Sequence, residues 1–326
     1  MSYSRFILAL AVAVCGCRRT APIAAQEVGA GLKTSETRQF SGRHRYGALS
    51  AVFLPGSNQA ISSGVDEVAR VWDINTGGER AHFSGTRFRF QDIALSPDGA
   101  TALTPAPDAT LHYWKVATGE EIRRFEGAKA IMGTVALSAN GRLAAGAGQD
   151  TVIHLWEVAS GKHLRQFPIT AAVIRLVFHP DSQTIHSVEA NGRVCSWRID
   201  QQGPPGCAAA TSEPVSQAAF SQDRQSVLIG SRFGSLILWD LRMRAEVRKL
   251  AGIEGDIVAL AISASGEAAL SGGSDKSVRI WNLKTGSQVG RTVGTGSYIS
   301  CVAFSNDATL ALFGSDRGAI TLWRPR

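Results

Sequence analysis

Apolar and polar residues alternate with period two, in runs of five or six, along almost the whole chain. Ser271 to Asn282, SGGSDKSVRIWN, shows the pattern best. Ser271 ends one apolar run, and Gly272, Gly273 and Asp275 turn the chain. Val278 and Ile280 then alternate with polar neighbours until Trp281. Such runs, bounded by Gly, Asp, Asn and Pro, predict short strands joined by tight hairpins.

Trp281 belongs to a ladder. Tryptophans stand at 72, 114, 156, 197, 239, 281 and 323, separated by 42, 42, 41, 42, 42 and 42 residues, and no other Trp exists. A fixed period of this length marks a repeat architecture. The turns keep phase with the ladder. One reads LPGSN at 54, SPDGA at 96, SANGR at 138, HPDSQ at 179, SQDRQ at 221, SASGE at 263 and SNDAT at 305. A second holds Asp66, Asp108, Asp150, Asn191 and Asp275 six residues before the Trp. A third reads NTGGE at 75, ATGEE at 117, ASGKH at 159 and KTGSQ at 284. These residue types supply the backbone angles that tight turns need.

Trp72-Asp73, Trp239-Asp240 and the near match Trp281-Asn282, set in this phase, resemble the WD40 repeat family. The resemblance covers residues 34–326. It implies an all-β fold, a seven-bladed β-propeller of four-stranded antiparallel blades. The Gly-His element that opens such repeats survives only in Gly42-Arg43-His44, and four copies lack the Asp after Trp. By the same resemblance each Trp fills the wedge between blades and its N–H enters a network with a Ser/Thr, a turn Asp and a His. The first copy offers the full set: His44, Ser62, Asp66 and Trp72. Trp114, Trp156, Trp197, Trp239, Trp281 and Trp323 hold the matching places.

The chain ends three residues past Trp323, so the seventh copy lacks a fourth strand. SETRQFSG (35–42) matches GERAHFSG (78–85) and EEIRRFEG (120–127), the fourth strands of copies one and two. Residues 35–41 are therefore expected to complete the last blade and remove an open edge.

Composition adds little to this and excludes some classes. Apolar residues make up 44% and charged residues 19%, which suits one globular domain of repeats. A net charge of +7 favours acidic partners or anionic head groups weakly. It lacks the dense basic stripe of a nucleic-acid binder. At the N-terminus, Arg5 precedes an apolar run from Phe6 to Val14, too short to span a bilayer and right for an export signal. Val14-Cys15-Gly16-Cys17 resembles a bacterial lipobox, which implies a signal over 1–17, a lipid on Cys17 and a tether over 18–33. A plain signal peptide cut near Ala24-Ala25 is the alternative.

Groups of a kind that carries chemistry mostly take repeat positions. Ser62, Asp66 and His44 lack a nucleophile elbow. The histidines at 44, 82, 112, 154, 163, 179 and 186 show no metal-site spacing, so no metal, cofactor or catalytic residue is expected. Cys195 and Cys207 flank the irregular DQQGPPG turn and could face each other in a hairpin. Cys301 reads as a small core residue. The departures that suggest binding are Arg43, Arg45 and Tyr46 before copy one, Arg87, Phe88 and Arg89 before copy two, and Arg232, Phe233 and Arg317 in turns expected on the same face. Arg and aromatics are enriched at interface hot spots; the bland reading buries a Phe and leaves the arginines solvated. The expected function is a non-catalytic scaffold for a protein or peptide, exported and held to a membrane by lipid. A propeller enzyme of lactonase or quinone-dependent dehydrogenase type, or a subunit of an envelope assembly complex, is the alternative.

Overall fold

The computed structural model describes residues 36–53, 58–66, 68–84, 94–96, 101–106, 108–115, 120–148, 150–201, 203–250, 253–294, 296, 298–305 and 307–325. The signal, Cys17 and the tether lie outside them, as do Arg87, Phe88 and Arg89. Every element among the described residues is a β-strand. The strands form four-stranded antiparallel sheets, seven among the described residues. Six of the sheets are built from four consecutive strands; the first, for example, runs Ala48–Phe53, Gln59–Gly64, Val68–Asp73 and Glu79–Ser84.

The seventh sheet is built differently. Ile299–Phe304, Ala311–Ser315 and Ala319–Trp323 supply three strands, and the N-terminal strand Thr37–Arg43 supplies the fourth. Thr37 lies opposite Trp323, Arg38 opposite Leu322 and Gln39 opposite Thr321. The strand reaches two residues further than the repeat phase predicts, because Arg43 still pairs with Ala319 beyond a bulge.

The chain divides into two compact units. One holds Phe90–Ile257; the other joins the described residues up to 84 with Val258–Arg326. In both, apolar clusters tie neighbouring sheets of the unit together. In the first unit, Leu103, Leu111 and Phe125 pack with Met132, Val135 and Trp156. Ala145, Ile153 and Phe167 pack with Leu176, Ile185 and Trp197. In the second, Phe40, Leu312 and Leu322 pack with Ala51, Ala60 and Trp72.

The tryptophan explains this regularity. A four-stranded sheet cannot cover both its own faces, and a Trp on the third strand reaches across the gap. Three of them lie against an outer-strand aromatic of the neighbouring sheet. Ring centroids are 5.2 Å apart for Phe40–Trp72, 6.0 Å for Phe125–Trp156 and 5.7 Å for Phe167–Trp197. Burying one such ring stabilises by about 3–5 kcal/mol relative to Ala. The side chain of Trp114 is not among those described.

The hairpin SGGSDKSVRIWN has one correction. Gly272 and Gly273 belong to the strand Ala268–Gly273, and the turn falls on 274–276 before Ser277–Asn282. A side chain on Gly272 would meet Ile299 at 2.5 Å. That glycine gives room to the next sheet; it does not bend the chain.

Candidate functional site

The first copy's tryptophan network lies beneath the most suggestive surface. Trp72 and Ser62 are fully buried, as is His44. The Trp72 indole N–H donates to Ser62 Oγ at 2.8 Å. Ser62 Oγ lies 2.7 Å from His44 Nε2, and His44 Nδ1 lies 2.9 Å from Asp66 Oδ1. The Ser62 oxygen accepts from Trp72, so its own hydroxyl donates to His44 Nε2, and His44 Nδ1–H donates to Asp66. The chain satisfies every polar atom with a neutral imidazole. Burial lowers the His44 pKa below 6.5 despite the Asp66 bond. Burial alone would raise the Asp66 pKa, yet the Arg45 backbone N–H and His44 bring it below the ordinary value.

This network fixes a loop. Asp66 Oδ2 accepts the Arg45 N–H at 2.9 Å, so the Arg45 backbone is tied down while its side chain is exposed. His44 N–H donates to Gly318 O at 2.8 Å. Two glycines permit this close approach. A side chain on Gly318 (φ +82) would sit 1.8 Å from His44 O, and one on Gly47 (φ +125) would sit 2.8 Å from Asp316 O. The loop 44–47 and the turn 316–318 are therefore pressed together, backbone to backbone.

Exposed side chains rise from that seam. Arg43, Arg45 and Arg317 are exposed, and Tyr46 is 60% exposed. The Arg45 guanidinium lies 5.2 Å from the Tyr46 ring centroid, a cation–π contact. Tyr298, 40% exposed, joins them through its N–H bond to Asp316 Oδ1 at 3.2 Å. Sequence reasoning missed Tyr298; its signal was a place directly before the strand Ile299–Phe304, as Tyr46 stands just before Ala48. The acids here are engaged inward. Asp66 holds His44, the Arg45 backbone and Arg70, and Asp316 holds the Tyr298 backbone. The seam thus presents cations and aromatic rings outward.

Arg43 departs from expectation, since it ends a strand and is not in the loop. Arg232 and Phe233 lie in the other unit. There the turn after Ser226–Ser231 is held by Arg232 N–H to Pro214 O at 3.0 Å and Phe233 N–H to Ser231 Oγ at 3.2 Å. Arg232 is exposed and Phe233 is 70% exposed.

Other groups weighed in the sequence have structural settings. Cys195 and Cys207 lie directly opposite on neighbouring strands and form a disulfide, Cα atoms 4.1 Å apart. Burial pushes the Cys301 thiol up to about 12, which leaves it an inert core group. His154 bridges Asp150 at 2.8 Å and His163 at 3.0 Å. His112 Nδ1 lies 3.1 Å from Glu121. His186 is buried against Phe220 and His179, and burial lowers its pKa to about 4. Among the described residues no three His, Cys, Asp or Glu side chains are placed to hold a metal ion.

The all-β sheets and the His–Ser–Asp–Trp chain of the first copy are accompanied by a match over the last part of the chain. The family model described as WD domain, G-beta repeat matches residues 245–282 and 286–324. Each match starts at or before an outer strand and runs through the next three inner ones. The first takes in Ala245–Leu250 and ends with Ser277–Asn282; the second takes in Gln288–Val293 and ends with Ala319–Trp323. No curated protein matches the chain.

Proposed function

We propose that this protein is a non-catalytic binding scaffold: a seven-bladed WD-type propeller whose sheets close in a ring. Its partner is a protein or peptide bearing acidic groups. The observation that carries this reading is the seam of loop 44–47 and turn 316–318, which holds Arg45, Tyr46 and Arg317 outward on a rigid backbone while its acids face inward. Pre-organised arginines and tyrosines are the residue types that dominate interface energetics. WD repeats serve this role as a class, which supports the reading by analogy.

Export and lipid attachment at Cys17 form part of the proposal and rest on the N-terminal sequence: the apolar run Phe6 to Val14 followed by Cys15-Gly16-Cys17.

The test is affinity capture from native membranes with quantitative mass spectrometry, comparing the wild-type chain with Arg43→Glu, Arg45→Glu and Arg317→Glu combined. All three side chains are exposed, so the fold is expected to survive. The reading predicts that the captured partner falls at least about tenfold in the variant. Capture at wild-type yield would overturn it.

A further inference from the structure

A hairpin far along the chain departs from the repeat in a way the scaffold does not require. The turn between the Trp strand and the outer strand reads NTGGE, ATGEE, ASGKH and KTGSQ in four copies; in the fifth it reads RMRAE, residues 242–246. The left-handed position of this turn is Gly77, Gly161 and Gly286 in three copies, with φ of 72°, 74° and 78°. In the fifth copy it is Arg244, with φ 51°. An L side chain resists that conformation, so an arginine there asks for a reason beyond the turn.

The surroundings supply one. Residues 242–247 are six consecutive exposed residues. Met243, at the tip, is 72% exposed, the most exposed large apolar side chain among the described residues, and Val247 is 53% exposed. Arg242 and Arg244 flank the Met, Lys249 is exposed on the outer strand Ala245–Leu250, and Glu246 is the one acid among the six. The acid at the base of the turn faces the backbone, because Asp240 Oδ1 accepts the Met243 N–H at 2.6 Å. The turn is also braced. A side chain on Gly206 would lie 2.0 Å from Arg244 Nη2, so the Arg244 side chain packs over a strand that leaves a glycine to receive it.

The geometry points to this hairpin as a membrane-docking tip for an anionic bilayer. An apolar side chain at the apex of a turn, between two arginines, matches the interface of such a bilayer. The Met thioether enters the head-group boundary and the guanidiniums meet phosphates. Six consecutive exposed residues with the apolar one between two cations suit the charged, apolar boundary of a bilayer. This inference does not depend on the scaffold reading, whose residues lie elsewhere in the chain.

The test is co-sedimentation of the full chain with phosphatidylcholine vesicles and with vesicles containing about a third phosphatidylserine. Three hairpin variants, Met243→Ser, Arg244→Gly and the pair Arg242→Gln with Arg244→Gly, share the wild-type N-terminus, so any difference belongs to the hairpin. Arg244→Gly installs the residue the other turns use, and an unchanged Tm checks the fold. The expected result is a preference for phosphatidylserine that is lost at high salt and weakened about tenfold in the arginine pair. Met243→Ser weakens binding to the same vesicles by a smaller factor. No preference in the wild type, or wild-type binding by the variants, would overturn the proposal. So would loss of binding to a polyglutamate peptide in the arginine pair with vesicle binding unchanged, which would assign the hairpin to an acidic polypeptide.

Discussion

Three of the tryptophans carry their own acceptor at a fixed distance along the chain. Trp72 donates to Ser62, Trp197 to Ser187 and Trp281 to Ser271, each ten residues upstream on the neighbouring strand. Trp156 has Gly146 in that place and donates to the Glu126 carbonyl. Trp239 has Ile229, and its buried N–H has no acceptor among the described residues. An orphaned buried donor costs about 1–3 kcal/mol. Ser62 differs from Ser271 because it also serves His44. Ser62→Ala is therefore expected to cost about 2–4 kcal/mol, against about 1–2 kcal/mol for Ser271→Ala, in urea unfolding; equal losses would separate His44 from the network. His186 gives a pH signature. Its folded pKa of about 4 lies below the unfolded value of 6.5, so the unfolded chain binds the extra proton in between. Stability should fall as pH drops from about 6.5 to about 4, by about 3 kcal/mol from this residue. His186→Gln should remove close to one proton from the slope of stability against pH; an unchanged slope would contradict the assignment.

At the scale of the strand, the outer edges hold the sheets in sequence. Nine residues after the Trp, Arg123 donates to the Ser160 and Ala159 carbonyls at 2.9 Å each, and Arg165 donates to the Ile199 carbonyl at 2.8 Å. Arg38 does the same for the Asn75 carbonyl. Each reaches the turn of the next sheet. Gly161 and Gly77 serve that turn twice, by their left-handed φ and by the room they leave: a side chain would come within 3.0 Å of Arg123 and 3.2 Å of Phe40. The strands, the Trp wedges and the pairing of residues near 35–41 with the last sheet were legible because each rests on a short periodic signal. The arginine clasps were not, since a charge on a solvent-side strand reads as a solvated face until the neighbouring carbonyls are placed. Tyr298 was hidden for a related reason: its role depends on Asp316, eighteen residues away. The Cys195–Cys207 pair stood out only as a possibility, because the turn between them left the register open; the strand register Cys195 to Cys207 settles it.

For the whole molecule, the central proposal is a ring latched by its own N-terminal strand. Thr37–Arg43 supplies the outer edge of the last sheet, and its Phe40 is buried against Trp72 of the first. The last sheet and the first, both in one unit, thus depend on the strand Thr37–Arg43. The backbone beneath Arg45, Tyr46 and Arg317 is fixed by the His44 N–H to Gly318 O and Arg45 N–H to Asp66 bonds. Without the strand, Ala319–Trp323 becomes an open edge and the Trp72 ring loses its aromatic neighbour. The most direct test compares thermal unfolding of a chain beginning at residue 34 with one beginning after Arg43. The latch predicts a fall in Tm of roughly 10 °C or more, with loss of a single cooperative transition. An unchanged Tm and an unchanged single transition would contradict it.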